Sequence, residues 1–305
     1  MRNIIILIGL LLSITASAQV LKVQTIDKVP APVSEMTKQV AAISPGGDYL
    51  LLCSQSQEGL IKLDLRTGES QTLTTARCAG FGTKISDDGN TVAYQEVTFN
   101  QDRLLMRGAK TIDLKSGISK NLLQPTREYQ GFDLQNNVAA TVANHQVSLM
   151  PLKDNNARAS RPIVSNSNLH LLLTVNGDTR QFTPNGDQYS YIWASISPNA
   201  ERVLYYVSEL GCYTCHLDGS DMIKLGELRA PQWLDNNTVV GMRDYDNGIT
   251  ITASTIVVKT LDGIEQPLTG DDMIAIFPQV AGKAGKIAFS TIDGDIYIIN
   301  FTTNN

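Results

Sequence analysis

The chain has 305 residues, 42% of them hydrophobic and 18% charged, with 25 Lys+Arg against 30 Asp+Glu and a net charge of −5. That composition belongs to a soluble globular protein and excludes a disordered or fibrous chain. No basic run is present, so the electrostatic footprint that phosphate-backbone binding needs is missing and nucleic acid is not an expected partner.

The chain opens with a targeting pattern. Met1-Arg2-Asn3 is a short positive start, Ile4 to Ile14 is a nearly unbroken apolar run, and Ala16-Ser17-Ala18 places small residues before Gln19. Together they read as a cleaved secretory signal over residues 1–18. The run is about half of the ~20 residues that span a bilayer, and no later segment approaches that length, so no transmembrane anchor is expected. The expected location is the bacterial periplasm, cell surface or extracellular space. No Cys follows the cleavage site, which argues against lipid attachment there. Export permits disulfides, but the four cysteines, Cys53, Cys78, Cys212 and Cys215, are too few for a disulfide scaffold. Cys53 follows the apolar run Tyr49-Leu50-Leu51-Leu52 and is expected to be a free, buried thiol.

From Leu21 onward the chain alternates two kinds of turn. The first is a corner before an apolar strand: Ser44-Pro45-Gly46-Gly47, Ser86-Asp87-Asp88-Gly89 and Ser197-Pro198-Asn199-Ala200, with degenerate copies starting at Asp133, Leu234 and Ala281. The second closes a later hairpin: Asp64-Leu65-Arg66-Thr67-Gly68, Asp113-Leu114-Lys115-Ser116-Gly117, and counterparts at Pro151, His216, Thr260 and Asn300. Pro presets φ, Asp and Asn bond back to the backbone, and Gly accepts positive φ, so each is a tight reversal. The repeating unit is strand, corner, strand, loop, strand, turn, strand, which is one propeller blade of four antiparallel strands.

Six copies of each turn predict an all-β, six-bladed propeller filling residues 19–305 as one domain. Only the interval from Asp133 to Ser197, 64 residues, is long, and it is too short for two units of the shortest interval, the 37 from Ser197 to Leu234. It therefore reads as an inserted hairpin within about 157–190, formed by Leu169 to Thr174, the turn Val175-Asn176-Gly177-Asp178 and Thr179 to Thr183. The last unit stops one strand short. Leu21-Lys22-Val23-Gln24-Thr25-Ile26 alternates apolar and polar residues and is expected to complete that blade, closing the ring and removing a sheet edge. No segment carries helical periodicity.

These corners, Ser-Pro-Asp-Gly-like and followed by Asp-Leu-x-Thr/Ser-Gly, resemble the repeats of the TolB-like six-bladed β-propellers of the bacterial envelope. The resemblance covers roughly residues 20 to 305, with blades 1, 2 and 4 matching best. TolB itself has an added amino-terminal α/β domain, for which there is no room between Gln19 and Ala41, so a role in the Tol-Pal system is not implied. What the resemblance implies is an exported propeller that binds a protein, peptide or glycan through loops around its central channel.

Candidate chemistry is sparse. Cys212-Tyr213-Thr214-Cys215-His216 fits the C-x-x-C-H pattern of haem attachment. It falls where other units have their third strand, however, and residues three apart on a strand point to opposite faces, so haem is not expected there. Asp244-Tyr245-Asp246-Asn247-Gly248 resembles the start of a calcium loop, with Asp244 and Asp246 as candidate ligands, but its Gly comes one residue early and no Glu closes it. A solvated hairpin loop is the reading preferred over a metal site. No nucleophile or phosphate-loop motif appears, and no enzymatic activity is expected. Aromatic and Arg side chains near the starts of inner strands and in the adjoining loops have the composition of binding hot spots. Tyr129, Tyr191, Trp193, Arg229, Trp233, Arg243, Tyr245 and Phe277 are expected on one rim, with Arg243 and Tyr245 favoured as contacts and the two Trp read more readily as packing. The expectation is thus a monomeric, non-catalytic binding module for an envelope or extracellular protein or peptide. The alternative is a carbohydrate-binding or glycan-processing propeller using Asp244, Asp246, Asp271 and Asp272 beside an aromatic platform.

Overall fold

The protein is described by a computed structural model at residues 19–30, 34–135, 138–152, 159 and 161–303. The signal segment expected over 1–18 lies outside the described residues, as do Asn136 of the third corner and Lys153, Asp154 and Asn155 of the third turn. The chain forms seven antiparallel sheets. Strand β1 (Leu21–Lys28) comes first and is used last. Blade 1 is β2 (Gln39–Ile43), β3 (Tyr49–Cys53), β4 (Leu60–Asp64) and β5 (Ser70–Thr74). Blade 2 is β6 (Lys84–Ile85), β7 (Thr91–Phe99), β8 (Leu105–Asp113) and β9 (Ser119–Thr126). Blade 3 is β10 (Tyr129–Gln135), β11 (Val138–Ala143) and β12 (Gln146–Pro151); blade 4 is β13 (Ile163–Ser167), β14 (His170–Val175) and β15 (Asp178–Phe182). Blade 5 is β16 (Tyr191–Ile196), β17 (Arg202–Val207), β18 (Gly211–His216) and β19 (Ile223–Gly226). Blade 6 is β20 (Arg229–Trp233), β21 (Thr238–Asp246), β22 (Ile251–Thr260) and β23 (Glu265–Pro267); blade 7 is β24 (Ala275–Ala281), β25 (Lys286–Thr291) and β26 (Ile296–Thr303), completed by β1.

The local chemistry follows the sequence. At the three best corners a fully buried serine hydroxyl accepts the backbone N–H five residues on: Ser44 from Tyr49 at 3.1 Å, Ser86 from Thr91 at 2.9 Å and Ser197 from Arg202 at 2.9 Å. The later turns are held by an aspartate accepting two backbone N–H groups, Asp64 from Arg66 and Thr67, and Asp113 from Lys115 and Ser116. Gly68 and Gly117 follow at φ 74° and 71°, where a Cβ would be strained. As expected, β1 pairs with β26, from Leu21 opposite Thr303 to Lys28 opposite Tyr297.

The inner strands touch in ring order, β2, β6, β10, β13, β16, β20, β24 and back to β2. The apolar core is therefore not one ball but seven wedges, one between each pair of neighbouring blades. A middle strand buries both faces, which is why Tyr49–Cys53 is apolar without alternation: Leu50 and Leu52 face blade 7, Leu51 and Cys53 face blade 2. The same geometry parts the two cysteines of β18, Cys215 packing toward blade 4 and Cys212 toward blade 6.

The expected six blades are corrected to seven. The inserted hairpin exists as read, β14 and β15 around Asn176-Gly177, but with β13 it makes a blade of its own. The 64-residue interval holds two blades because, among the described residues, each has three strands, whereas two four-stranded units would not fit. This pairing of short blades has a topological cause. A four-stranded blade starts and ends at the same face, here termed upper, whereas a three-stranded blade ends at the lower face. The next blade must then start there, and three more strands return the chain to the upper face.

Inner strand β13 accordingly runs opposite to its neighbours. Gln130, at the start of β10, donates to Ser167 Oγ at the end of β13 (2.9 Å). Gln135, at the end of β10, exchanges two hydrogen bonds of 3.0 and 3.1 Å with the backbone of Arg161, just before β13. On the other side Tyr191, which begins β16, donates its N–H to Leu169 O and accepts from Asn166 Nδ2, both at 2.6 Å.

Candidate functional site

The upper face carries the β1–β2, β5–β6, β9–β10, β15–β16, β19–β20 and β23–β24 connections, together with the hairpin loops of the blades. Two hairpins stand out. Strands β7 and β8 are nine residues each, and β21 and β22 are nine and ten, against five or six for most others. Inner strand β20 pairs with β21 only up to Met242, so Arg243 to Asp246 continue past the body of the blade by about 13 Å at ~3.3 Å per residue. On a ring of seven, blades 2 and 6 are three steps apart one way and four the other, so the two hairpins flank the channel mouth from opposite sides.

Both hairpins carry exposed apolar side chains. Tyr245 is 63% and Ile249 94% exposed on the β21–β22 hairpin. Phe99, Leu104 and Leu105 are exposed on the β7–β8 hairpin, beside exposed Phe81 of the β5–β6 loop, and the Arg77 guanidinium lies 5.9 Å from the Phe99 ring centre. Leu169 is exposed at the upper turn of blade 4. Fewer large apolar residues are exposed at lower-face loops among the described residues: Ile118, Met222 and Ile264.

The residues singled out from the sequence divide. Tyr245 stands free at its hairpin. Arg229 begins β20 and pairs with Asp244 at 2.8 Å, with Asp246 at 3.8 Å. The Asp244 carboxylate is 1% exposed and faces that guanidinium, and Asp246 accepts the Gly248 N–H at 2.9 Å. The pair thus sets the root of the hairpin. Arg243 turns outward along its blade to Glu265, which also holds Lys259 at 3.2 Å. Burial and then the nearby Arg243 push the Lys259 ammonium down. Tyr129 is half-buried, and burial pushes its hydroxyl up.

Tyr191 is fully buried, its hydroxyl bonded to the Asn185 N–H and Gly186 carbonyl, both at 3.0 Å, and its ring packed on Tyr205. Trp233 ends β20 rather than starting it, so it sits toward the lower corner and not on the expected rim. Trp193 and Phe277 occupy bulges of β16 and β24 at φ 52°, with Ala230 of β20 similar at φ 46°. Non-glycine residues seldom adopt this region, and all three lie on consecutive inner strands. Trp193 rests edge-on against Tyr206 at 5.4 Å, and the Tyr206 hydroxyl donates to Glu227 at 3.1 Å.

Ile249, Phe99, Leu104 and Leu105 were not flagged by the sequence, although apolar residues flanking Asn100-Gln101-Asp102-Arg103 carried the signal. A polar cleft of about 340 Å³ also opens on the lower face between blades 1 and 2, lined by Asp48, Tyr49, Lys62, Asp88 and Lys115 among others. Within it Tyr49 is already engaged, its hydroxyl donating to Gly89 O at 2.8 Å and its ring covered by Lys62 at 4.9 Å.

Three of the four thiols, Cys53, Cys212 and Cys215, are buried rather than reactive. Burial pushes Cys53 up to about 12 and Cys215 up to about 11, and pushes Cys212 up as well. Cys212 and Cys215 lie on opposite sides of blade 5, a geometry in which one porphyrin cannot reach both. All four cysteines are free, and among the described residues no helix is long and apolar enough to cross a membrane.

The sequence matches no known family profile, and it matches no curated protein. Among solved structures, it is similar to a chain of the Mitotic Checkpoint Complex at 7% identity, over 93% of this chain and 92% of that one, with a TM-score of 0.59. It is similar to the β-propeller domain of Cps50 (Swd1) from Myceliophteria thermophila at 11% identity, over 92% of this chain and 100% of that one, with a TM-score of 0.57. An oligogalacturonate lyase from Vibrio parahaemolyticus aligns at 13% identity over 85% of this chain and 76% of that one, with a TM-score of 0.46. At these identities the shared property is the architecture, and the chain is a β-propeller of antiparallel blades.

Proposed function

We propose that this chain is an exported, non-catalytic binding module that grips a polypeptide segment across the upper mouth of its channel, between the β7–β8 and β21–β22 hairpins. The observation that carries this reading is the placement of Phe99, Leu104 and Leu105 on one hairpin and Tyr245 and Ile249 on the other, exposed on the same face. Exposed apolar groups gathered on projecting loops, on a rigid scaffold, are the pattern of interaction sites rather than of random surface. The charged, apolar and small-residue pattern of residues 1–18 supports export. Of the four carboxylates a glycan site would use, Asp244 faces Arg229 and Asp246 closes its own turn, which leaves only Asp271 and Asp272 of the β23–β24 loop.

The test is site-specific photocrosslinking in an envelope extract of the source cells. A photoreactive residue at position 249 or 104 is expected to give the same adduct, and one at Ile118 on the lower face none. Equal adducts at all three positions, or none at 249 and 104, would refute the reading. A sharp rise in melting temperature with an oligosaccharide, lost in Tyr245→Ser, would establish the glycan alternative instead.

A further inference from the structure

Resting on that reading, we infer that the segment bound at the β21–β22 hairpin is cationic, a stretch in which apolar residues alternate with Lys or Arg. The apolar anchor is Tyr245 with Ile249. Around it, the upper loops of blades 5 to 7 present carboxylates of one sign: Glu209 in the β17–β18 turn, Glu227 before β20, Asp246, Asp271 and Asp272 in the β23–β24 loop, and Asp293 in the β25–β26 turn. Of the described cations on the same arc, Arg229 holds Asp244 and reaches Asp246, Arg243 holds Glu265 and Lys28 holds Asp295, while the Lys38 stem packs against Gly294. Among the described residues no cation holds Glu209, Asp271, Asp272 or Asp293, so unpaired carboxylates outnumber unpaired cations there. The arc is local, because the loops of blades 1 to 3 interleave Glu58, Asp102 and Glu128 with Arg77, Arg103 and Arg127. A single-sign field beside an exposed apolar tip raises the local concentration of the opposite charge and repels acidic chains, so it selects the partner by sign as well as by apolar contact.

The experiment uses the mature chain and three fluorescein-labelled peptides of equal length and equal apolar content, carrying Lys, Ser or Glu at the alternate positions. Binding is read by anisotropy at about 0.05 and 0.3 M salt, where screening lengths differ more than twofold. The Lys peptide is expected to bind about tenfold tighter than the Ser peptide at low salt and to lose most of that advantage at high salt. Asp271→Asn/Asp272→Asn/Asp293→Asn is expected to abolish the advantage, since among the described residues no hydrogen bond uses these side chains. Glu69→Gln/Asp87→Asn/Asp178→Asn, which removes the same charge from the lower face, is expected to preserve it. Ile249→Ser is expected to weaken the Lys and Ser peptides alike. Equal binding of the three peptides, or equal loss in the two charge variants, overturns the cationic assignment while leaving the hairpin reading in place. Peptide binding indifferent to Ile249→Ser, or no binding at all, overturns both.

Discussion

The inverted blade makes a sharp prediction at Gly131. This residue lies in β10 at φ 148°, and a Cβ built on it would come 2.8 Å from the Cβ of Ser165 in β13. Gly131→Ala therefore adds two costs of different origin. Backbone strain in a region avoided by residues with a Cβ contributes about 1–3 kcal/mol, and forcing one methyl against a packed neighbour contributes about 1–3 kcal/mol more. Ser165→Gly removes only the second. In a double-mutant cycle read from urea midpoints at constant m-value, Gly131→Ala should cost about 2–6 kcal/mol alone. In the Ser165→Gly background about 1–3 kcal/mol of that cost should disappear. Because the contact exists only if β13 lies against β10 as the inner strand of its own blade, additivity within about 0.5 kcal/mol would refute the seven-blade topology.

Other perturbations test the site's foundations. Arg229→Met leaves the buried Asp244 carboxylate without its cation and should cost about 2–4 kcal/mol in chemical unfolding, less than a fully buried pair because the guanidinium is 39% exposed. Asp246→Asn should change stability by less than about 0.5 kcal/mol, and a larger loss would show that the hairpin root is held differently. Thiol titration at pH 8 should count only Cys78 as reactive in the native protein and all four cysteines in urea, since burial keeps the other three protonated. A native count of two or more would contradict that packing. The backbone N–H groups of Thr67 and Ser116 hold Asp64 and Asp113 below the usual carboxylate range when folded. Their contribution is present above the unfolded value near 3.8 and is lost as pH falls through the lower folded value. Asp64→Asn/Asp113→Asn, which can still accept those bonds, should flatten the loss of stability on acidification below about pH 4, and an unchanged slope would refute this.

How much of this could be read from the sequence depended on how local the cause was. The serine corners at 44, 86 and 197 and the aspartate turns at 64 and 113 are made by residues within five positions, and they were legible. Strand β1 was legible because its alternation matched a missing edge that the repeat count had exposed. The number of blades was not, since it depends on strands per blade, and the degenerate corner at Asp133 does not announce that its unit stops at three. Trp233 was misplaced for a related reason: where an inner strand starts is set by the bulge around Ala230 and Pro231, a tertiary feature. Tyr245 was legible, but Phe99, Leu104, Leu105 and Ile249 were not, because a run of nine strand-forming residues predicts a strand whether it ends at the rim or beyond it.

Topology and site are linked by the direction of each blade. Were there one three-stranded blade instead of two, every later blade would run inverted, and the β21–β22 hairpin would open on the face opposite to β7–β8. Tyr245 and Ile249 would then share a face with the serine corners of blades 1 and 2, and no segment lying on one face could touch both apolar tips. The second short blade restores the direction, as the bonds from Tyr191 to Leu169 and Asn166 record at the return to the upper face. Two odd blades cancel, and the cancellation is what places both hairpins around a single mouth. A fold that had merely lost outer strands by drift would be under no obligation to lose them in even number, except that ring closure by β1, which must meet β26 from the lower face, fails otherwise. Closure and the two-sided grip thus rest on the same condition. Evidence against the antiparallel contact of β10 with β13 would count against the proposed binding mode as directly as against the fold.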